Sequence, residues 1–230
     1  KRYVRTRGST NIKPLMVSKI EKSIFGLAFS SKAKGAGLNW IFSLYENNLL
    51  SCPFCGGNGA RTIDHYLPFS CYPEFAFFSL NLVPSCGDCN RKRNAANRHG
   101  SSPALLHPYF DKNALRKVKL ITSISFVSGV PGFRLTYNVK DFSPTEQTRI
   151  ANHLKTCVDQ IAYLNEIRGH LAVLKIYRKR HRCLKDFLEI VILDPLSAYE
   201  EANEQNSWQL TLYRGLLKLT DSEIELLLAG

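Results

Sequence analysis

Apolar and polar positions alternate most regularly in the middle of the chain. The segments KVKLITSISFV and FRLTYNVK place β-branched and aromatic residues at alternate positions, which is typical of strands that are buried on one face. The run SGVPG between them supplies residues that favour turns. The pattern therefore predicts a β-hairpin over residues 117–139.

Helical periodicity replaces this alternation further along the chain. The run SPTE at 143–146 predicts a helix start with proline in the first turn. A second helical stretch is predicted at about 166–191, and further helices within 196–229. The apolar positions that follow the helix start recur every three to four residues, namely Ile150, Leu154, Val158, Ile161 and Leu164.

The N-terminal part has weaker patterns. Residues 1–13 are basic and predict an extended arm, and residues 14–34 mix apolar and lysine positions as a helix can. Residues 52–89 are rich in glycine, proline and aromatic residues, which favours strands and loops. The segment 38–49 predicts an amphipathic helix with one apolar face, formed by Leu38, Ile41, Phe42 and Tyr45.

These elements together predict an α+β protein with four consecutive segments. They are a basic N-terminal segment (1–37), a compact module (38–112), a β-hairpin extension (113–142) and a mostly helical C-terminal region (143–230). No apolar run approaches the ~20 residues that a membrane-spanning helix needs. We expect a cytoplasmic protein, because no secretory signal is visible.

Charge is distributed unevenly along the chain, whose net charge is +12. Residues 1–185 hold 29 basic and ten acidic residues, whereas residues 186–230 hold two basic and nine acidic residues. This asymmetry predicts a body that binds a polyanion and a separate acidic region. The alternative is that the charges only keep the protein in solution.

Seven cysteines are present, and four of them form two CxxC pairs, at 52–55 and 86–89. Two such pairs can complete the tetrahedral coordination of one zinc ion, and a closed Cys₄ shell is typical of a structural site. The ligands would be Cys52, Cys55, Cys86 and Cys89. We expect Cys157 and Cys183 to pack as small apolar residues.

Between the two pairs lies the run TIDHYLPF at 62–69, and an asparagine follows the second pair. The arrangement resembles the motif of HNH endonucleases, which runs CxxC, DHxxP, NLxxxCxxCN and then a basic residue. The matching positions are Cys52, Cys55, Asp64, His65, Pro68, Asn81, Leu82, Cys86, Cys89, Asn90 and Arg93. The resemblance implies a ββα-metal nuclease module with structural zinc, inside the predicted 38–112 segment.

The resemblance also implies roles for individual residues. His65 would be the general base, because a neutral imidazole can accept the proton of water near pH 7. Asp64 and Asn90 would hold Mg²⁺ or Mn²⁺ through hard oxygen atoms, and Asn81 would orient the base by hydrogen bonds. Many family members carry histidine where this chain has Asn90. Adjacent strand residues point to opposite faces. The resemblance implies that the strand ends at this pair, so that Asp64 and His65 splay around the metal and the phosphate.

Nucleic acid is the polyanion that this resemblance implies. Arg91, Arg93 and Arg98 lie on or beside the helix expected after Asn90 and would contact phosphates, without a code for base sequence. A basic run at 175–185 and the 1–7 arm either track nucleic acid or are solvated surfaces. His99 and His107 are further ligands, phosphate contacts or ordinary loop histidines; the sequence leaves these alternatives open.

The leading hypothesis is therefore a metal-dependent DNA endonuclease. A nuclease acting on RNA, such as tRNA, and a non-catalytic zinc-stabilised adaptor that binds nucleic acid or protein remain alternatives. The HPYFD run at 107–111, the hairpin and the helical tail are similar to bacterial HNH proteins of phage-defence operons, including Septu-like and retron-associated nucleases. That similarity implies a role in antiviral defence and a protein partner such as a regulatory ATPase.

Overall fold

The structure, a computed structural model, divides the chain into two compact units. Unit 1 comprises residues 1–115 and 142–158, and unit 2 comprises residues 116–141 and 159–230. Helices and antiparallel strands occur together, which confirms the α+β class. The residues that the structure describes are 1–30, 37–46, 49–57, 59, 62–100, 104–202, 204 and 206–229.

The helices in chain order are α1 (Arg2–Arg5), α2 (Lys19–Ser30), α3 (Trp40–Glu46), α4 (Gly87–Ala96), α5 (Lys112–Lys117), α6 (Pro144–Cys157), α7 (Gln160–Arg180), α8 (Leu184–Phe187), α9 (Asp194–Glu201), α10 (Trp208–Leu216) and α11 (Asp221–Leu228). The strands are β1 (Thr62–His65), β2 (Leu82–Ser85), β3 (Leu120–Val127) and β4 (Val130–Tyr137). A π-helical turn, Leu188–Leu193, joins α8 to α9.

Unit 1 is organised around the short antiparallel pair β1–β2, in which Asp64 lies opposite Val83 and His65 lies opposite Leu82. Helix α4 follows β2 directly, and the Cys86 sulfur caps its first turn by accepting the N–H of Cys89. Helix α6 packs against α4. Its predicted start is confirmed, because Ser143 and Glu146 form a reciprocal capping box.

The N-terminal prediction is wrong in one respect. The structure places α1 inside the segment 1–13, which the sequence predicted to be extended. The physical reason is burial of Tyr3, whose ring packs edge-on against Phe75 at 4.9 Å and Phe78 at 5.0 Å between centroids. Aromatic pairs of this geometry stabilise a core. The basic residues of the segment predicted an exposed arm, but the packing of Tyr3 buries part of it instead.

Helices α2 and α3 fall within the stretches that the sequence predicted to be helical. Helix α3 is shorter than the predicted 38–49, and residues 47 and 48 lie outside the described residues. Ile41 of its predicted apolar face is buried. The side chain of Tyr45 also lies outside the described part of the chain.

In unit 2, β3 and β4 form the predicted hairpin. Its turn consists of Ser128 and Gly129, which both have positive φ, as a two-residue turn that matches the twist of the strands requires. The turn is shorter than the predicted SGVPG, because residues 130–132 already belong to β4. Helix α10 packs on β3, and leucines from α7, α10 and α11 form the core.

The apolar repeat that begins at Ile150 spans two helices. Helix α6 ends at Cys157, and the Asp159 side chain caps the start of α7 by accepting the N–H of Ala162 at 3.0 Å. Helices α10 and α11 confirm the further helices predicted within 196–229, and α9 begins two residues before that range. Within the described ranges, every helix is too short or too polar to cross a membrane.

The two remaining cysteines differ in their surroundings. Cys157 is buried, as predicted. Cys183 is exposed, so the prediction that it packs as an apolar residue is wrong. Its sulfur accepts the N–H of Asp186 and caps α8, which accounts for a surface position.

Candidate functional site

The two CxxC pairs meet at the junction of β1, β2 and α4. The sulfur atoms of Cys52, Cys55, Cys86 and Cys89 all lie within 4.8 Å of one another. The Cys55 and Cys86 sulfurs are 3.8 Å apart, close to the edge of ~3.8 Å that a tetrahedron with zinc–sulfur bonds of ~2.3 Å has. The cluster can therefore hold one metal ion such as zinc, as the sequence predicted.

Local backbone geometry shapes the cluster. Gly56 has a φ of +74°, a conformation that glycine adopts without strain, and this lets the CPFCGG loop fold back on itself. The N–H of Cys52 donates to the Gly57 carbonyl at 2.8 Å, and the N–H of Gly57 reaches the Cys55 sulfur at 3.2 Å. His153 of α6 fixes the same loop, because its Nε2 lies 2.7 Å from the Phe54 carbonyl.

A pocket of about 470 Å³ opens beside the end of β1. Phe29 of α2 is among its apolar lining residues, and its polar lining residues are Asp64, His65, Ser70, Asn90 and Arg98. Strand β1 ends at His65, and both Asp64 and His65 are lining residues of this pocket. Three residues that the sequence predicted to act together are therefore adjacent to one cavity, namely Asp64, His65 and Asn90.

His65 is oriented by a backbone carbonyl. Its Nε2 lies 3.0 Å from the Ala76 oxygen, which can only accept, so Nε2 carries the hydrogen and Nδ1 keeps a lone pair. Burial lowers the pKa of His65, although the bond to Ala76 opposes that change. The Phe29 ring, 4.5 Å away between centroids, is one of the groups that bury it. The result is a neutral imidazole whose Nδ1 keeps a basic lone pair.

Neighbouring groups hold the side chains of Asp64 and Asn90. In each residue, one side-chain oxygen takes no part in these contacts. Asp64 is 1% exposed, and its Oδ2 forms an ion pair with Arg93, in which its Oδ1 takes no part. The Asn90 amide nitrogen donates to the Thr62 hydroxyl at 3.3 Å and to the Ile63 carbonyl at 3.4 Å. The amide oxygen takes no part in these two bonds. A carboxylate oxygen and an amide oxygen suit a hard divalent cation.

Asn81 does not orient the base in the way that the resemblance implied. Its side-chain hydrogen bonds among the described residues go to Tyr3, Leu67 and Phe75. They fix both ends of the 66–76 loop rather than the ring of His65. Because that loop leads into the Ala76 carbonyl, Asn81 can affect His65 only indirectly.

The three arginines predicted to bind nucleic acid have different environments. Arg93 is buried, with its guanidinium 3.6 Å from the Phe54 ring centroid. Burial places it out of reach of a phosphate, contrary to the sequence prediction. Arg91 is exposed and pairs with Asp88 at 2.5 Å, whereas Arg98 is exposed at the pocket.

The two loop histidines also differ from each other. His99 is exposed, and its Nδ1 lies 3.1 Å from the Tyr72 hydroxyl. His107 is fully buried, and its Nε2 lies 3.1 Å from the Tyr3 hydroxyl. His107 therefore lies in a loop, one of the alternatives that the sequence left open, and its ring packs in the aromatic core of unit 1.

Sequence reasoning missed three groups around the site. Tyr3 lies in a segment that looked like a basic arm, and the Ala76 carbonyl belongs to the backbone. Phe29 covers His65 from a helix that is distant in sequence. None of these contacts has a local sequence signal, although the HPYFD run did mark the position of His107.

Comparison with known proteins gives little further guidance. No known family model matches the chain, and no solved structure matches it. The chain is 29% identical over 197 residues to Protein ea31 of Escherichia phage lambda, an alignment that covers 77% of this chain. The same alignment covers 66% of the relative, so this chain spans just under two thirds of the relative's length. The relative's name states no activity, so any function must be argued from the residues themselves.

Proposed function

We propose that the pocket in unit 1 hydrolyses phosphodiester bonds, and that the protein is an HNH-type endonuclease acting on DNA. One observation carries this proposal: a neutral histidine, held by a backbone carbonyl, shares a pocket with a carboxylate and an amide. Phosphodiester hydrolysis needs a base for the attacking water and stabilisation of the charge that develops on the phosphate. His65, Asp64 and Asn90 supply groups of these types.

His65 would take a proton from the attacking water at Nδ1. The hydrogen bond from Nε2 to the Ala76 carbonyl fixes the ring and its tautomer, and it also stabilises the positive charge that the ring gains. Burial keeps the ring neutral before the reaction, which is the state in which it can act as a base.

A divalent ion is the second component of this mechanism. Mg²⁺ or Mn²⁺, bound by the Asp64 carboxylate and the Asn90 amide oxygen, would stabilise the phosphoryl charge and the leaving 3′ oxygen. The ion pair with Arg93 holds the Asp64 carboxylate in one orientation. The bonds to Thr62 and Ile63 do the same for the Asn90 amide.

The Cys₄ cluster would bind a structural zinc. Its four sulfurs complete a closed tetrahedral shell, which leaves no position for substrate. Cys89 immediately precedes Asn90, so the metal would fix the first turn of α4 and, with it, one of the two oxygen ligands. The role of the zinc is therefore to hold the site in shape.

The large excess of positive charge in the first 185 residues favours a nucleic acid substrate, and we propose DNA rather than RNA because of the resemblance to HNH endonucleases. Arg98 is the basic side chain that lines the pocket. We expect binding to weaken steeply with salt and to show little sequence preference.

Antiviral defence and a regulatory ATPase partner belong to the same proposal. Such a partner would dock on exposed acidic residues of unit 2, such as Glu189 and Asp194.

The decisive experiment compares wild type with His65→Ala on plasmid DNA, single-stranded DNA and tRNA, with Mg²⁺, Mn²⁺ or EDTA. We expect metal-dependent DNA cleavage by wild type and a loss of at least ~100-fold in His65→Ala. Zinc content and DNA binding should stay unchanged. His170→Ala in unit 2, outside the pocket and the basic run, is the matched control and should cleave as wild type does.

Each alternative has its own outcome in that experiment. Cleavage of tRNA alone would favour an RNA nuclease with the same site. Binding without cleavage by zinc-loaded wild type would favour an adaptor. Undiminished cleavage by His65→Ala would remove His65 from the role of base.

A further inference from the structure

Three buried polar side chains form a row beneath the loop that leads to Ala76. They are His107 of the HPYFD run, Tyr3 of α1 and Asn81, which immediately precedes β2, and each is at most 1% exposed. The Tyr3 hydroxyl lies 3.1 Å from His107 Nε2 and 3.0 Å from Asn81 Oδ1. The proposed mechanism uses neither Tyr3 nor His107.

The direction of each hydrogen bond in this row can be deduced. His107 Nδ1 accepts the N–H of Tyr109 at 3.2 Å, so a neutral ring carries its hydrogen on Nε2 and donates to the Tyr3 oxygen. Burial lowers the pKa of His107 to about 3, which keeps the ring neutral near pH 7. The Tyr3 hydrogen then points to Asn81 Oδ1, which is nearer than the Leu80 carbonyl at 3.4 Å.

Asn81 passes this constraint to the loop above it. Its Oδ1 also accepts the N–H of Leu67 at 2.7 Å, and its Nδ2 donates to the Phe75 carbonyl at 3.2 Å. The next carbonyl along the chain, that of Ala76, is the one that holds His65. A continuous series of directed hydrogen bonds therefore links His107 to the residue beside the carbonyl that orients the base.

We propose that Tyr3 and His107 are positioning residues, which act through Asn81 to hold the 66–76 loop and the Ala76 carbonyl in place. Their effect on catalysis rests on the function proposed above, whereas their effect on the loop does not. The N-terminal segment is accordingly part of the site's architecture.

The packing around Tyr3 leaves little freedom for other arrangements. Gly8 has a φ of +67°, and a Cβ atom at this position would lie 2.9 Å from His107 and 3.0 Å from the Tyr3 hydroxyl. The chain after α1 therefore passes directly over the hydrogen bond between the two residues. Such close packing holds the hydroxyl in the position from which it reaches Asn81.

The first test is Tyr3→Phe, which keeps the ring and removes only the hydroxyl. We expect kcat to fall about tenfold, the usual equivalent of one lost buried hydrogen bond, and KM to stay unchanged because no pocket-lining group changes. Tyr163→Phe in unit 2 is the matched control. It removes another buried hydroxyl, which donates to the Asn206 carbonyl at 2.7 Å, and should keep the wild-type kcat.

The second test does not depend on activity. The N–H of Leu67 donates to Asn81 Oδ1. The hydrogen exchange of this N–H, followed by NMR, therefore reports how stably Asn81 is bonded to the loop. We expect exchange about tenfold faster in Tyr3→Phe and unchanged in Tyr163→Phe. His107→Gln retains an N–H donor in place of Nε2 and should protect Leu67 better than His107→Leu does.

These measurements separate the two proposals. Wild-type exchange at Leu67 in both Tyr3→Phe and His107→Leu would overturn the positioning role. If wild-type protein cleaves no nucleic acid, the nuclease proposal fails and the exchange data alone decide the role of Tyr3. Faster exchange with an unchanged kcat would limit that role to the loop and overturn its link to catalysis.

Discussion

Arg93 lies at the centre of unit 1 although it carries a full charge. Burial lowers its pKa only to about 10, so it stays protonated at neutral pH. Its partners are the Asp64 carboxylate and the faces of Phe54 and Tyr66, while its Nε and Nη2 atoms have no hydrogen-bond partner among the described residues. The aromatic faces compensate for part of the lost hydration. Arg93 thus fixes Asp64 and cannot serve nucleic acid.

His107 leads to a prediction about pH at the same scale. Charged groups near it are Arg93, Arg7 and Asp111, and the Leu80 carbonyl also faces it. The rings packed against it are those of Tyr3, Tyr66, Tyr109 and Phe110. Burial is the largest cause of its lowered pKa, and the charge of Arg93 acts in the same direction. The folded protein therefore resists protonating this ring.

The sign of the effect follows from linkage. As pH falls below 6.5, the unfolded chain binds a proton at this position, while the folded protein does not until about pH 3. The contribution of His107 is therefore fully present above pH 6.5 and declines by up to ~1.4 kcal/mol per pH unit below it. Between pH 7 and pH 5, the free energy of unfolding of unit 1 should fall by about 2 kcal/mol more in wild type than in His107→Gln. Urea unfolding in a Trp208→Phe background, followed by the fluorescence of Trp40, measures this difference; identical pH dependences would contradict it.

Two glycines in unit 2 helices have opposite environments. A Cβ on Gly215 of α10 would overlap the Thr122 carbonyl oxygen of β3 and lie 3.1 Å from its carbonyl carbon. A Cβ on Gly169 of α7 would have open space around it, with no atom of another described element within 4 Å. The close approach of α10 to β3 therefore depends on Gly215, whereas Gly169 only weakens its helix.

We expect Gly215→Ala to destabilise unit 2 by about 2 kcal/mol or more, because backbone must move on one side of the contact. Gly169→Ala is the control in a neighbouring helix, and it should raise the free energy of unfolding by up to ~1 kcal/mol. Urea unfolding in a Trp40→Phe background, followed by the fluorescence of Trp208, measures both changes. Equal effects of the two substitutions would show that α10 and β3 do not pack as closely as described.

Local signals explain which elements the sequence could predict. The capping box at Ser143, the hairpin alternation and the CxxC spacing each depend on residues close together in the chain, and the structure confirms all three. Helix α1 and the burial of Arg93 and His107 depend largely on aromatic residues that are distant in the chain. Such contacts leave no periodic pattern in the sequence. The residues proposed to line the site could therefore be predicted from the sequence, but the groups that hold them in place could not.

At the scale of the whole molecule, the two units differ in how they are stabilised. The core of unit 2 is built from leucine and other apolar side chains of its helices and hairpin. Unit 1 has a core that is rich in tyrosine, phenylalanine and cysteine, and β1 and β2 are four residues each. A metal ion at the Cys₄ cluster would add binding free energy to the folding of unit 1.

Zinc removal should therefore affect the two units unequally. The chain has two tryptophans, Trp40 in α3 of unit 1 and Trp208 in α10 of unit 2. Single-tryptophan variants, Trp208→Phe and Trp40→Phe, allow each unit to be followed separately by fluorescence. A strong chelator should shift the unfolding midpoint seen by Trp40 to lower urea while the midpoint seen by Trp208 stays in place, because no cysteine of the cluster belongs to unit 2.

Matched cysteine variants test whether the cluster itself is responsible. Cys52→Ser removes one of the four clustered sulfurs and should lower zinc content and destabilise the Trp40 transition as the chelator does. Cys183→Ser removes an exposed sulfur outside the cluster and should leave one zinc per chain and both transitions unchanged. If Cys52→Ser retained wild-type zinc and stability, the four sulfurs would not form the metal site, and α4 would have to hold Asn90 in place without it.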